Sequence, residues 1–154
     1  MTLHEIFTTP PWAQLSFIVG WLGTGGLSGC IAGWPRLARR FSNMPVLKGG
    51  EQFRFASGFV NAGRLPISFR YCLQLQLNER GMQLAVLWPW RFLHAPFVVP
   101  WSEVESITHQ RYMFAQHTVV SICGEKSKIR VAGRAGQAVA SAYARYRAAA
   151  VRRH

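Results

Sequence analysis

Aspartate is absent from this 154-residue chain, and glutamate, the only acidic residue, occurs six times. That removes Asp-based hydrolytic triads, paired-aspartate acid chemistry and the carboxylate-rich cages that hold Mg²⁺ or Ca²⁺. Cysteine is scarce as well. Cys30, Cys72 and Cys123 stand far apart with no CxxC pair, which excludes a disulfide scaffold and a zinc finger. Charge is missing from one long stretch, because no charged side chain occurs between Glu5 and Arg36. What the chain has in quantity is apolar and basic. Hydrophobic residues make up 49% and charged ones 16%, so there is enough to bury a core and the chain is no disordered tail. Eighteen Lys and Arg against six Glu leave a formal charge of +12.

The uncharged stretch reads as a membrane helix. Leu15 to Trp34, LSFIVGWLGTGGLSGCIAGW, has 20 residues, about what a helix needs to cross roughly 30 Å of hydrocarbon. Trp12 and Trp34 sit at its ends, where indole rings favour headgroups. Arg36, Arg39, Arg40 and Lys48 follow it, and no Lys or Arg precedes it. The positive-inside rule then puts residues 36–154 in the cytoplasm. Two other readings compete. Six of the 20 residues are Gly, which suits a buried or interfacial helix held by a close partner. Leu27-Ser28-Gly29-Cys30 also has the form of a bacterial lipobox with Cys30 as the lipidated residue, although the basic n-region of a signal peptide is lacking. Gly25, Gly29 and Gly33 recur every four residues, a stripe that lets two helices approach closely and so suggests a homodimer.

After this stretch, residues 34–41 (WPRLARRF) read as a short amphipathic turn. Pro35 suits a helix's first position, Leu37 and Phe41 share a face, and Arg36, Arg39 and Arg40 are expected to face lipid phosphates or water. Ser42 to Gly50, with Pro45 and Gly49-Gly50, reads as a linker. The expected division is therefore a hydrophobic helix and basic turn over 1–41, a linker over 42–50, and a β domain over 51–154.

From Glu51 the period becomes two. Phe53 and Phe55 alternate with Gln52 and Arg54 in a strand near 51–60, and Leu73, Leu75 and Leu77 alternate with Gln74 and Gln76 within 69–77. Asn78-Glu79-Arg80-Gly81 supplies a hairpin turn. Further strands are expected over 82–88, 97–99, 104–112, 116–123 and 128–131, the fourth kept short by Pro96 and Pro100. After Gly133 the spacing turns helical. Ala135, Val139, Ala142, Tyr143, Tyr146 and Ala150 share one face of 134–151. The fold class is α+β: a seven-stranded antiparallel sheet whose open apolar end a C-terminal helix plugs.

That element order over about 51–152 resembles the pleckstrin-homology-like (PH-like) superfold, two near-orthogonal antiparallel sheets capped by a helix. The chain also resembles a family of small bacterial membrane-anchored proteins that has no assigned activity. The shared pieces are Gly33-Trp34-x-x-Leu37-Ala38, Glu79-x-Gly81, His94-x-Pro96 and Val99-Pro100-Trp101-Ser102-Glu103. The chain departs from them by the insertion Cys30-Ile31-Ala32 and by Ala95, where a second Pro is expected. The resemblance implies a bacterial inner-membrane location, single-pass, with the β domain cytoplasmic.

Reactive groups are thin. Cys72 and Cys123 lie in expected strands, where Cys acts as a small hydrophobe. His109 and His117 are eight apart across a turn, without metal-ligand spacing. Glu103 and Glu105 would share a strand face with Arg111, Lys128 and Arg130 in reach, as surface ion pairs. Gly23-Thr24-Gly25-Gly26 lacks the Lys of a phosphate loop. No motif requires a cofactor or metal. The most unusual stretch is Leu87 to Phe97, which sets Trp88, Trp90, Arg91 and Phe92 between two prolines, the composition of a membrane-interface contact or of a loop covering the barrel. The basic surface carries no recognition helix or RNA-binding aromatic signature, so nucleic acid is the weaker partner and the anionic inner leaflet the stronger. The expectation is a membrane-tethered, non-catalytic binding or assembly module with an unidentified protein partner. The alternative is a soluble basic β domain, with 15–34 folded onto it, that binds nucleic acid or an acidic protein.

Overall fold

The period of two after Glu51 becomes seven strands. The computed structural model describes residues 10–31, 33–61, 67–88, 91, 94–112 and 115–152. In chain order these form α1 (Pro11–Ile31), α2 (Trp34–Arg40), β1 (Glu51–Asn61), β2 (Ile67–Leu77), β3 (Gly81–Val86), β4 (Phe97–Pro100), a 3₁₀ turn (Trp101–Glu103), β5 (Val104–Tyr112), β6 (Ala115–Ile122), β7 (Lys128–Ala132) and α3 (Gly133–Val151). All strand pairs are antiparallel. They make one continuous sheet in the order β4-β3-β2-β1-β7-β6-β5.

That order puts β4 and β5 at opposite edges, yet only the three residues of the 3₁₀ turn join them. Such a turn spans about 6 Å. The sheet must therefore curl until its edges meet, and the result is a half-barrel. β1 makes the bend possible, pairing with β2 along its length and with β7 over Gly58–Asn61. Two register shifts, between Phe53 and Ala56 and between Ala56 and Gly58, twist it. The architecture, a curled seven-stranded antiparallel sheet capped by a C-terminal helix, is consistent with a PH-like fold.

α3 closes the barrel with the face its periodicity foretold. Ala135, Gly136, Val139 and Ala142 are buried, and Tyr143 and Tyr146 pack against the core. The Tyr143 hydroxyl donates to the Val104 carbonyl at 3.1 Å, and its ring lies 6.0 Å from that of Trp101. Gly136 permits the close approach, since a Cβ there would meet the Val131 carbonyl oxygen and the Thr118 side chain.

Two expectations about the first fifty residues need correction. The crossing helix expected over 15–34 is not found: α1 ends at Ile31, and among the described residues no helix is long and apolar enough to cross a membrane. Five Gly, with Gln14, Ser16, Thr24 and Ser28, thin out its large apolar side chains. The amphipathic turn and linker, in turn, belong to the β domain's core. Trp34, Leu37, Phe41 and Leu47 are 1%, 0%, 4% and 6% exposed. Trp34 lies among the rings of Phe69, His94 and Phe97, at 5.5, 5.4 and 5.0 Å, and its indole N–H donates to the Ala95 carbonyl at 2.9 Å. The 42–50 segment is pinned too, by the Leu47 amide on Gln83 and by the Gln76 amide on the Gly49 carbonyl. The face carrying Leu37 and Phe41 is covered by protein.

Candidate functional site

α2 is fastened to the barrel by charge as well as by its buried face. Pro35 sets its first turn, and the 3.6-residue period puts Arg36 and Arg40 together along one flank of the face that carries Leu37. Arg40 donates to Glu103 at 2.8 Å and to the Cys123 carbonyl at 2.8 Å, and pairs with Glu125 at 3.2 Å; Arg36 pairs with Glu125 at 3.0 Å. The Glu125 side chain is only 9% exposed, and two guanidiniums meet it there. Glu103 sits in the 3₁₀ turn, Glu105 in β5 is exposed, and the two do not share a strand face as expected. Of the three arginines expected to face lipid, Arg36 and Arg40 are thus turned onto carboxylates. Arg39 stays exposed, donating from Nε to the Pro35 carbonyl.

Several residues on which the resemblance rests come together around this joint. Trp34 and Leu37 are core residues, His94 is buried against Trp34 and Phe69, Trp101 donates from its indole to the Asn78 carbonyl at 2.9 Å, and Glu103 holds Arg40. They seat α2 on the sheet and the 3₁₀ turn across its seam. None of them forms a reactive constellation.

The exposed surface is of two kinds. On α1, Trp12, Leu15, Phe17, Ile18 and Val19 are 70%, 62%, 73%, 49% and 66% exposed. At 100° per residue Trp12, Leu15, Ile18 and Val19 share one arc of about 120°, and Phe17 lies off it. On the barrel, Phe55, Tyr71 and Trp88 are exposed, as are Arg54, Arg70 and Arg91. Trp88 and Arg91 belong to the aromatic connection singled out in the sequence; Trp90 and Phe92 lie outside the described residues. Phe55 corrects an expectation, for alternation placed it inward beside Phe53. The β1 bulge turns it out. Of the glycine stripe, Gly25 and Gly29 lie on α1, but Gly33 is beyond its end in a left-handed conformation, φ 78°, and opens α2. The stripe therefore breaks before its third member.

A groove of about 1010 Å³ runs between α3 and the β2–β3 turn, lined among others by Glu51, Glu79, Arg80, Arg145 and Tyr146. It offers both charges, with Asn78 and Ser102 beside them. Elsewhere, burial pushes the Cys72 thiol up from its ordinary pKa, which disfavours the thiolate. Burial, helped by the Arg130 charge, pushes His117 down. His109 and Thr118 are paired across β5 and β6, Nδ1 to Oγ1 at 3.3 Å. Among the described residues no three His, Cys or Glu side chains converge as a metal site would need. Comparison with protein-family models finds no match, and comparison with curated proteins finds none either.

Proposed function

We propose that the protein is a membrane-tethered PH-like module that works by binding and assembly and not by catalysis, and that it belongs with the small bacterial membrane-anchored proteins its motifs resemble. In this reading α1 is the tether, the bilayer is the inner membrane, and the β domain sits on its cytoplasmic side, where the anionic leaflet attracts a +12 chain. Gly25 and Gly29 give the tether a face on which a second copy's helix packs closely.

One observation carries the reading: five large apolar side chains of α1, from Trp12 to Val19, stand uncovered, four of them in one stripe. An uncovered apolar stripe is stable against an apolar phase and costly in water. The reading requires immersion of α1 in lipid, not a complete crossing. The same observation weighs against the soluble alternative, in which these side chains would lie on the β domain.

Fractionation tests it. The chain should sediment with membranes, and Leu15→Ser/Phe17→Ser/Ile18→Ser/Val19→Ser, which touches no core residue, should release it to the supernatant. Recovery of the unmodified chain free of membranes would refute the tether. A reporter fused after the C-terminus should work only if its activity belongs to the cytoplasm.

A further inference from the structure

Three aromatic side chains from three neighbouring strands stand exposed in one row: Phe55 of β1, Tyr71 of β2 and Trp88 just past β3, at 65%, 73% and 85%. The register sets Tyr71 and Trp88 abreast and Phe55 on the far side of the Ala56–Leu73 pair, so the row is staggered. Ala56 pairs with Leu73 and Leu73 with Val86. The Leu87 amide donates to the Cys72 carbonyl at 2.8 Å, which extends the β2–β3 ladder so that the next position on each strand is Tyr71 and Trp88. The Tyr71 amide donates to Ser57 Oγ at 3.0 Å, which ties it to β1 next to Ala56.

Two members of the row sit on backbone that aromatic residues avoid. Phe55 has φ 60° and Tyr71 φ 54°, the left-handed region in which Cβ crowds the chain. Each marks a bulge. From the Phe53–Leu75 pair to the Ala56–Leu73 pair, β1 has the extra residue; from there to Gly58–Phe69, β2 has the excess. Bulges re-aim side chains. Gly or Asn would fit either position with less strain, and strained aromatics that contribute nothing to the core point to a use outside it.

Arg54 precedes Phe55, Arg70 precedes Tyr71, Arg91 follows Trp88, and all three are exposed. The ion pairs of the described residues use Arg36 and Arg40 instead. α1 approaches β2, so the tether leaves the domain next to the strand that carries Tyr71.

We propose that this row is the face the barrel lays on an anionic bilayer, with the three rings in the headgroup region and Arg54, Arg70 and Arg91 on lipid phosphates. The proposal rests on the tethered reading above. Charge selects lipid over a second copy: an isologous contact would set three guanidiniums against three more, whereas an anionic leaflet complements them. Aromatic rings with Arg beside them suit that boundary, apolar below and charged above.

The test uses the full chain in four forms: unmodified, the α1 serine variant, the row variant Phe55→Asn/Tyr71→Asn/Trp88→Ser, and both combined. Asn tolerates left-handed backbone, so the row variant should keep its circular dichroism and its melting temperature or raise it. Flotation with phosphatidylglycerol-containing vesicles should show residual, salt-sensitive binding by the α1 variant. The combined variant should lose it, by about tenfold for each aromatic removed. Phosphatidylcholine vesicles should hold the α1 variant poorly. If the combined variant floats as well as the α1 variant, the row is not the docking face, and the tether reading stands on the α1 result alone. If the α1 variant floats as tightly as the unmodified chain, the tether reading itself fails. A combined variant that loses self-association in sedimentation while floating as well as the α1 variant would make the row a contact between copies and overturn the proposal.

Discussion

Replacing Trp34 with Ala separates two roles that its position beside a hydrophobic helix invites. As an interfacial indole it would matter to membrane binding and little to stability. Its surroundings say otherwise. The side chain is 1% exposed, meets three rings within 5.5 Å and donates to the Ala95 carbonyl. Truncating a buried Trp to Ala costs about 3–5 kcal/mol through lost transfer energy and the cavity left behind. Freeing the Ala95 carbonyl adds little, because Ala95 is exposed and water can replace the indole. Against a total of about 5–15 kcal/mol for a domain, that loss leaves the fold marginal. With a urea slope of about 2 kcal/mol per molar, the unfolding midpoint should fall by about 2 M. Trp34→Phe keeps a ring but not the donor, and should cost only about 1–2 kcal/mol. The assay is urea unfolding of the full chain in mild detergent, followed by far-UV circular dichroism, beside vesicle flotation. A midpoint within about 0.3 M of the unmodified chain, the scale of a surface substitution, together with weakened flotation would refute the core assignment.

Further tests probe the remaining contacts. Gly136→Ala would ordinarily stabilise a helix by about 1 kcal/mol, but its Cβ would meet the Val131 carbonyl and Thr118, so a net loss of about 1–2 kcal/mol is expected by thermal melting. Phe55→Asn alone should raise stability by about 1 kcal/mol, or about 3 °C in Tm, by relieving left-handed strain. His117, pushed down by burial and then by Arg130, is neutral in the folded barrel. Stability should therefore be held above pH about 6.5, fall as pH drops below it, and fall less steeply in His117→Gln. Cys72, its pKa raised by burial, should alkylate slowly at neutral pH and faster as pH rises past the usual thiol range.

Periodicity made most of the barrel legible. Leu73, Leu75 and Leu77 alternate and are buried at 2% each, and the face of α3 followed from the spacing of Ala135, Val139 and Ala142. Periodicity fails where it names a face but not its cover. Leu37 and Phe41 define an apolar side of α2, and the same spacing serves a bilayer or a protein core equally well. The deciding contacts, Trp34 on Phe97 and Arg40 on Glu103, lie more than sixty residues away. The exposed row was hidden for another reason. A single inserted residue inverts the pattern beyond it, and nothing in Phe53-Arg54-Phe55 announces that β1 bulges there. The aromatic run from Trp88 to Phe92 was visible because composition, unlike facing, can be read without a register.

Between the last residue of α1 and the first of α2 stand only Ala32 and Gly33, and the chain reaches the buried Trp34 at once. Two residues extend about 7 Å at most, so the barrel cannot swing through the volume that a nine-residue leash over 42–50 would have allowed. A mount this short fixes bearing as well as distance. In the proposed tethered reading, the side the barrel shows to its surroundings is thus set where the two helices meet.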